Sequence, residues 1–414
     1  MQIVSSEYAV KEEAVVTLKY LFLRFFKIGM VSFGGYMALV AMMQRELVEK
    51  DHVIEPDVIT DGISIASLLP GPLAVNIVAH IGYHAKGKRG AIVAITGILL
   101  PAALAMLILS WCYFNYAYKT HFNQALFYTA GAVSGIILAT GIQIYKKEVK
   151  QDPLKIFLCI LSFVLIILIK SYLVTIGLIA FGGIAGSILK LSGRQGDNAE
   201  KQNNNANVFL NIKVKIAAMI LMLIEVSYIL NLNQVFKNIY LKISLVFSGI
   251  SLSLFGGGYV MIPIMQSLLV HNLKWVSAPE FLDCIAFSQL TPGPILVSSI
   301  FIGYKLTGFT GAIVALLATF APSAILMIIV SKIFAIHKDH YWLKDAMAGI
   351  KPVVVGLIIA SAVKLLQSVP FDLSLYILCA VTFAISFRYK VSPVYIIIAS
   401  LVVGACFTFF QYHI

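Results

Sequence analysis

Two aspartates, Asp61 and Asp283, lie in otherwise apolar stretches, each about two and a half turns ahead of the same tripeptide: Pro70-Gly71-Pro72 and Pro292-Gly293-Pro294. An ionisable residue inside a membrane-spanning stretch is costly and is a functional hypothesis by default. A carboxylate in that place is suited to carry a coupling proton. The plainer reading is a helix-entry residue at headgroup level, because Pro56, Asp57 and Glu280 are close by.

The tripeptides themselves point to anion chemistry. Two prolines around a glycine remove two backbone donors and lock two φ angles, so neither helix can run unbroken. In hydrocarbon such a break is tolerated only where protein or a water-lined cavity satisfies the freed groups. A second break precedes each first one: Phe33-Gly34-Gly35, and Phe255-Gly256-Gly257-Gly258. Where a helix restarts, its first N–H groups lack intrahelical partners and its dipole turns positive charge to the gap. Glycines let an oxyanion approach that backbone closely. Gly34, Gly35, Pro70, Gly71 and Pro72 on one side, and Gly256, Gly257, Gly258, Pro292, Gly293 and Pro294 on the other, form a candidate substrate site built mostly from backbone. Asn76, Ser288, Gln289 and Thr291 are candidate side-chain donors. The bland alternative makes the breaks packing kinks and the polar side chains glue between helices.

The elements that must position these groups are membrane helices. Of 414 residues 60% are hydrophobic and 12% charged, about half the charged share of a soluble domain. The net charge of +12 sits in short loops between apolar runs, which fits the positive-inside pattern and not a groove for nucleic acid. The five cysteines are scattered singly, with no metal-ligand spacing. The polar N-terminus has no signal-like apolar run, and no cleavable leader is expected. At about 20 apolar residues per crossing, thirteen candidate spans emerge, six before a polar linker, one after it and six more. The expected organisation is a cytoplasmic segment at 1–16, a first repeat at 17–191, the linker at 192–212, a connecting helix at 213–235 and a second repeat at 236–414. The fold class expected is therefore an all-α polytopic membrane protein with about 13 membrane-embedded helices.

The repeat is explicit. At an offset of 222, Phe33-Gly34-Gly35 meets Phe255-Gly256-Gly257, Gln44 meets Gln266, Asp61 meets Asp283, and the two Pro-Gly-Pro triplets coincide. After one deletion Gly82-Tyr83 meets Gly303-Tyr304, Gly90-Ala91-Ile92-Val93 meets Gly311-Ala312-Ile313-Val314, and Pro101 meets Pro322. Lys and Arg gather in opposite sets of loops in the two halves: Lys86, Lys88, Arg89, Lys146, Lys147 and Lys150 in the first, and Lys332, Lys338, Lys344, Arg388 and Lys390 in the second. The positive-inside rule then predicts inverted orientations, with the N-terminus cytoplasmic, unless the broken segments are re-entrant. Inverted repeats with interrupted helices at corresponding positions are the signature of a secondary transporter whose site lies between the halves.

Some residues carry less. Gly82-Tyr83-His84-Ala85-Lys86-Gly87-Lys88-Arg89 is one residue short of a phosphate-binding loop and follows a helix, so it reads as a basic turn. His80 and His84 have no third ligand nearby. Arg24 and Lys27 are expected to snorkel to the interface, and Glu225 lies in the unpaired seventh span. Gly131-x-x-x-Gly135 and Gly182-x-x-x-Gly186 allow close packing and mark a face for a second copy of the chain. No cofactor is expected.

The paired motifs resemble the chromate ion transporter family in its long, two-half form. The resemblance rests on Phe33-Gly34-Gly35, Leu69-Pro70-Gly71-Pro72, Gly82-Tyr83, Gly87, Gly90 and Pro101. In the second half it rests on Phe255-Gly256-Gly257-Gly258-Tyr259, Pro263, Thr291-Pro292-Gly293-Pro294, Gly303-Tyr304 and Pro322. It implies a multi-pass inner-membrane carrier exporting chromate, a tetrahedral dianion similar to sulfate, coupled to protons. The sequence departs from the family pattern at Tyr36, where proline is frequent, and at Leu73, where many members carry a polar or acidic residue. A carrier for sulfate or another small anion is the alternative. A membrane-embedded enzyme is disfavoured, because the sequence shows no nucleotide loop or nucleophile–base pair.

Overall fold

The computed structural model describes residues 16–32, 36–116, 122–150, 152–169, 171–189, 238–254, 258–334, 341–389 and 391–413. The linker, the connecting helix, and Gly34, Gly35, Gly256 and Gly257 lie outside the described residues, so those expectations are not addressed by the structure. All regular structure among the described residues is helical. The first half comprises α1 (Leu18–Val31), α2 (Tyr36–Met43) running into a π-helical turn (Gln44–Lys50), α3 (Pro56–Leu68), α4 (Leu73–Tyr116), α5 (Phe122–Glu148), α6 (Pro153–Leu168) and α7 (Tyr172–Leu189). The second comprises α8 (Ile239–Leu252), a 3-10 turn (Gly258–Val260), α9 (Met261–Met265), a π-helical turn (Gln266–Asn272) and α10 (Ala278–Leu290). Another 3-10 turn (Ile295–Val297) follows, then α11 (Ser298–Phe334), α12 (Tyr341–Gln367), α13 (Leu373–Tyr389) and α14 (Pro393–His413).

Local chemistry explains the boundaries. Thr17 caps α1, its hydroxyl accepting from the Tyr20 N–H at 3.1 Å. Pro56 and Pro153 start α3 and α6, where a missing N–H costs nothing. Ser277 and Glu280 form a capping box at the start of α10. Within α4 the helix breaks at Lys86 and Gly87, and within α11 at Thr307 and Gly308. Each break is a hairpin in which the two legs touch through glycine: Gly82 lies against Gly90, and Gly303 against Gly311. The second leg of α4 covers the span expected at about 90–116, whereas the span expected at about 58–83 is α3, the Pro-Gly-Pro break and the first leg.

Some boundaries differ from the expectation. The first span, expected at about 17–44, is α1, an interruption, α2 and the π-helical turn that carries the chain on to Lys50. The extension holds Glu46 and Asp51 against Arg24: the Arg24 Nε lies 2.7 Å from Asp51 Oδ2, and Tyr20 donates to the same carboxylate. Arg24 is thus paired inside the chain and not merely turned to the interface.

Five helical segments among the described residues are long and apolar enough to cross a membrane: Leu73–Tyr116, Leu126–Glu148, Tyr172–Leu189, Ile295–Ser331 and Asp345–Gln367. Their outward faces carry exposed large apolar side chains such as Ile92, Ile108, Leu317 and Ile329, which suits contact with lipid tails.

Packing exchanges helices between the halves. α5 packs on α13 and α14, while its counterpart α12 packs on α6 and α7. Gly135 fits against Cys379, Thr382 and Phe383, and Gly356 fits in the same way against Cys159, Ser162 and Phe163. The small-residue motifs are used here. Gly131 and Gly135 meet α13, and Gly182 and Gly186 meet Gly349 and its neighbours on α12, so they face other helices of this chain and not a second copy. α5 and α12 run antiparallel: Gly141 lies against Ile358 and Ile359, whereas Glu148 pairs with Lys351.

Candidate functional site

The two Pro-Gly-Pro breaks seat themselves in each other's halves. The Gly71 N–H donates to the Leu254 carbonyl at 2.8 Å, and the Gly293 N–H donates to the Ser32 carbonyl at 2.9 Å. Leu254 and Ser32 are related by the same offset of 222 (254 − 32) that relates the two glycines. Both glycines have positive φ, 116° and 123°, in a region that side chains of L-residues rarely adopt. There is also no room for a side chain. A Cβ on Gly71 would stand 2.2 Å from the Ser323 Cβ, and one on Gly293 would stand 3.0 Å from the Ala102 Cβ. Ser323 and Ala102 each follow the repeat-related prolines Pro322 and Pro101. These two N–H groups are therefore committed to cross-half bonds, which leaves the donors of the helix start beyond each break for a ligand.

Between the breaks lies a cavity of about 730 Å³, within the size range of ligand sites. Pro72, Leu73 and Ala74 reach it from the first break, and Gly293, Pro294 and Ile295 from the second. The first turn of α4 thus meets the cavity, with the unpaired donors of a helix start. Gly258, Ser288, Gln289 and Thr291, all named from sequence, also line it. Gln289 donates through Nε2 to the Tyr259 hydroxyl at 3.2 Å, and both residues face the same space.

Four expected site residues do not line the cavity. Pro70, Gly71 and Pro292 belong to the seats of the breaks. Asn76 is fully buried and donates to the Pro70 carbonyl at 3.3 Å, holding the break in shape.

Several cavity residues were not foreseen. Thr140, Gln143 and Lys147 come from α5, and Lys351 from α12. Gln143 donates to the Ser386 carbonyl at 3.1 Å, tying α5 to α13. Near Lys147, the Lys351 ammonium pairs with Glu148 at 2.8 Å. The one readable signal was the polar spacing Thr140, Gln143, Lys147 along an otherwise apolar helix, three and four residues apart on one face.

The aspartates part company. Asp61 lies on the exposed face of α3. Asp283 is buried and accepts from the Tyr113 hydroxyl of α4 at 2.8 Å, across the two halves. Tyr113 sits among Phe114, Phe287 and Phe301, with ring centroids 5.0 to 5.7 Å away. Neither aspartate lines the cavity. His80 bonds Ser331 at 2.8 Å, a structural use, and no group of three metal-ligating side chains occurs among the described residues.

Residues 19–187 and 241–405 match the sequence model of the family described as chromate transporter. The chain is 27% identical over 375 residues to the chromate transport protein of Cupriavidus metallidurans, covering 90% of this chain and 89% of that one. It is 26% identical to the probable chromate transport protein of Synechococcus elongatus, over 94% of this chain and 96% of the relative. An uncharacterized transporter of Methanocaldococcus jannaschii is 27% identical over 93% of both chains. No solved structure matches.

Proposed function

The chain belongs to the chromate transporter family, a family of transporters and not of enzymes, and from that premise we propose that it is a secondary carrier exporting chromate or a similar tetrahedral oxyanion across the inner membrane. The observation that carries the reading is the reciprocal seating of the two Pro-Gly-Pro breaks around one cavity. The cavity offers an oxyanion donor groups: the helix start at Leu73, Gln289 with Tyr259, Thr140 and Gln143, and beyond them Lys147 and Lys351, the latter paired with the one lining carboxylate among the described residues, Glu148. Charge-assisted hydrogen bonds to an anion are among the strongest a protein makes.

In this reading the halves are inverted repeats. The support is geometric. α5 ends at Glu148 and α6 begins at Pro153, a gap too short to let two spans run in the same direction. α5 nevertheless lies parallel to α13, the counterpart of α6, because Gly131 meets Leu375 and Gln143 meets Ser386. α5 lies antiparallel to α12, its own counterpart. Parallel repeats would give the reverse of both. The basic cluster at Lys146, Lys147 and Lys150 supports a cytoplasmic mouth for the cavity by the positive-inside rule. That is where an exporter loads, and rocking of one half against the other would expose the site to the far side. Asp283 is the proton-coupling group, with Tyr113 its partner; Asp61 is not equipped for that role.

The test is transport by purified protein in vesicles with an imposed pH gradient. Chromate accumulation that is abolished by collapsing the gradient supports the reading; no chromate movement in either orientation overturns it. Competition by sulfate and by small organic acids assigns the substrate.

A further inference from the structure

The large cavity has a small counterpart. Carried across the repeat, Thr140 becomes Ser361 and Gln143 becomes Lys364 (offset 221), and Ser386 becomes Ile166 (offset 220). Ser361, Lys364 and Ile166 line a single second cavity of about 10 Å³, together with Thr175, Gln266 and His271. That is room for about one water, against about 730 Å³ on the other side. The two cavities lie toward opposite ends of the molecule. Gln143 and Lys147 advance toward the end of α5, Ser361 and Lys364 toward the end of α12, and these helices are antiparallel.

The π-helical turn Gln266–Asn272 places Gln266 and His271 in the small cavity. Gln266 is 2% exposed, and its Nε2 donor has no hydrogen-bond partner. A buried donor left without a partner is costly, so such a group in a polar cavity points to a ligand that arrives later. The lining set is rich in donors: the Ser361 and Thr175 hydroxyls, the Gln266 amide and the Lys364 ammonium. No carboxylate is among the described residues that line it. Such a set takes an oxyanion and repels a cation.

We propose that this pinched cavity is the second vestibule of the anion path, closed in the present conformation, and that Gln266 and Lys364 bind the oxyanion on its way out. The inference rests on the carrier reading above and adds to it a location and two named contacts. The structure then represents one end of the transport cycle, with the vestibule at α5 open and the vestibule at α12 shut.

The experiment uses full-length protein in proteoliposomes, with the five native cysteines replaced by serine and chromate as the transported probe. Gln143→Cys and the nearly isosteric Ser361→Cys are labelled with a membrane-impermeant maleimide from each face. Gln143→Cys is expected to react from the lysine-rich face and Ser361→Cys only from the opposite face. Saturating chromate should change the two labelling rates several-fold in opposite directions. Lys364→Gln should lower uptake about tenfold, as expected for loss of a hydrogen bond from a charged donor, and Lys364→Arg should restore most of it. If Ser361→Cys reacts from neither face while transport persists, or if Lys364→Gln transports at the wild-type rate, the second vestibule is refuted and the carrier reading stands. If the unmodified protein moves no chromate or sulfate, the carrier reading falls and this inference with it.

Discussion

The two halves carry the same motifs at a nearly constant offset, yet they are not used alike. Asp283 is buried and bonded to Tyr113; Asp61, its counterpart, is on an exposed face of α3. α10 packs on α5 and α14, where α3 makes only slight contact with α12 and α4 dominates its surroundings. One cavity holds about 730 Å³ and its repeat-related counterpart about 10 Å³. Under the carrier proposal, equivalent sequence in unequal packing corresponds to a molecule open on one side and narrowed on the other, and the departures from the repeat are where that proposal can be tested.

The largest effect should come from the seats of the breaks. Gly71→Leu and Gly293→Leu should each abolish uptake while the protein still inserts into the membrane. Positive φ alone costs a side chain about 1–3 kcal/mol, and the opposing backbone bond is lost with it. Alanine sharpens the comparison. Gly71→Ala meets Ser323 at 2.2 Å and Gly293→Ala meets Ala102 at 3.0 Å, so uptake should suffer more from the first. Equal activity of both alanine variants would show that the seats are looser than their geometry.

Next come the aspartates. Asp283→Asn should retain anion binding, read by thermal shift with chromate, and lose the dependence of uptake on the pH gradient. Tyr113→Phe should weaken that dependence without abolishing it, and Asp61→Asn should leave it intact. A loss in Asp61→Asn equal to that in Asp283→Asn would return the two halves to equivalence.

A smaller change is expected at the mouth of the open vestibule. Lys351→Gln should raise the chromate concentration for half-maximal uptake about fivefold, equivalent to about 1 kcal/mol for a partly exposed charge. Glu148→Gln frees Lys351 and should lower that concentration. The smallest effect belongs to Lys305, which pairs with Glu280 at 2.5 Å away from both cavities. Lys305→Gln should shift thermal stability slightly and leave uptake kinetics alone.

Much of this architecture was legible in the sequence. Proline and glycine act through the backbone, so Pro70-Gly71-Pro72 and its repeat announce a break whatever surrounds them. Gly258, Pro72, Gln289, Thr291, Gly293 and Pro294 could be placed near a site on those grounds. Thr140, Gln143 and Lys351 could not, because the repeat is faint in the sequence of those spans and its register there is fixed by the matching packing of Gly135 and Gly356. For Asn76 the sequence left two uses open, since a buried amide can face a ligand or a backbone carbonyl, and in the structure its amide nitrogen meets the Pro70 carbonyl.

The duplication, the positions of the broken helices and the membrane environment follow from the sequence, since each rests on backbone chemistry or composition. The need for glycine at Gly71 and Gly293, the holding of each break by the opposite half, which aspartate is buried and which cavity is the larger were settled by tertiary packing. Those outcomes depend on contacts between residues 170 or more positions apart, such as Tyr113 with Asp283 and Gly71 with Leu254. Local propensity carries no information about such contacts, and two equivalent sequences can settle into unequal packing.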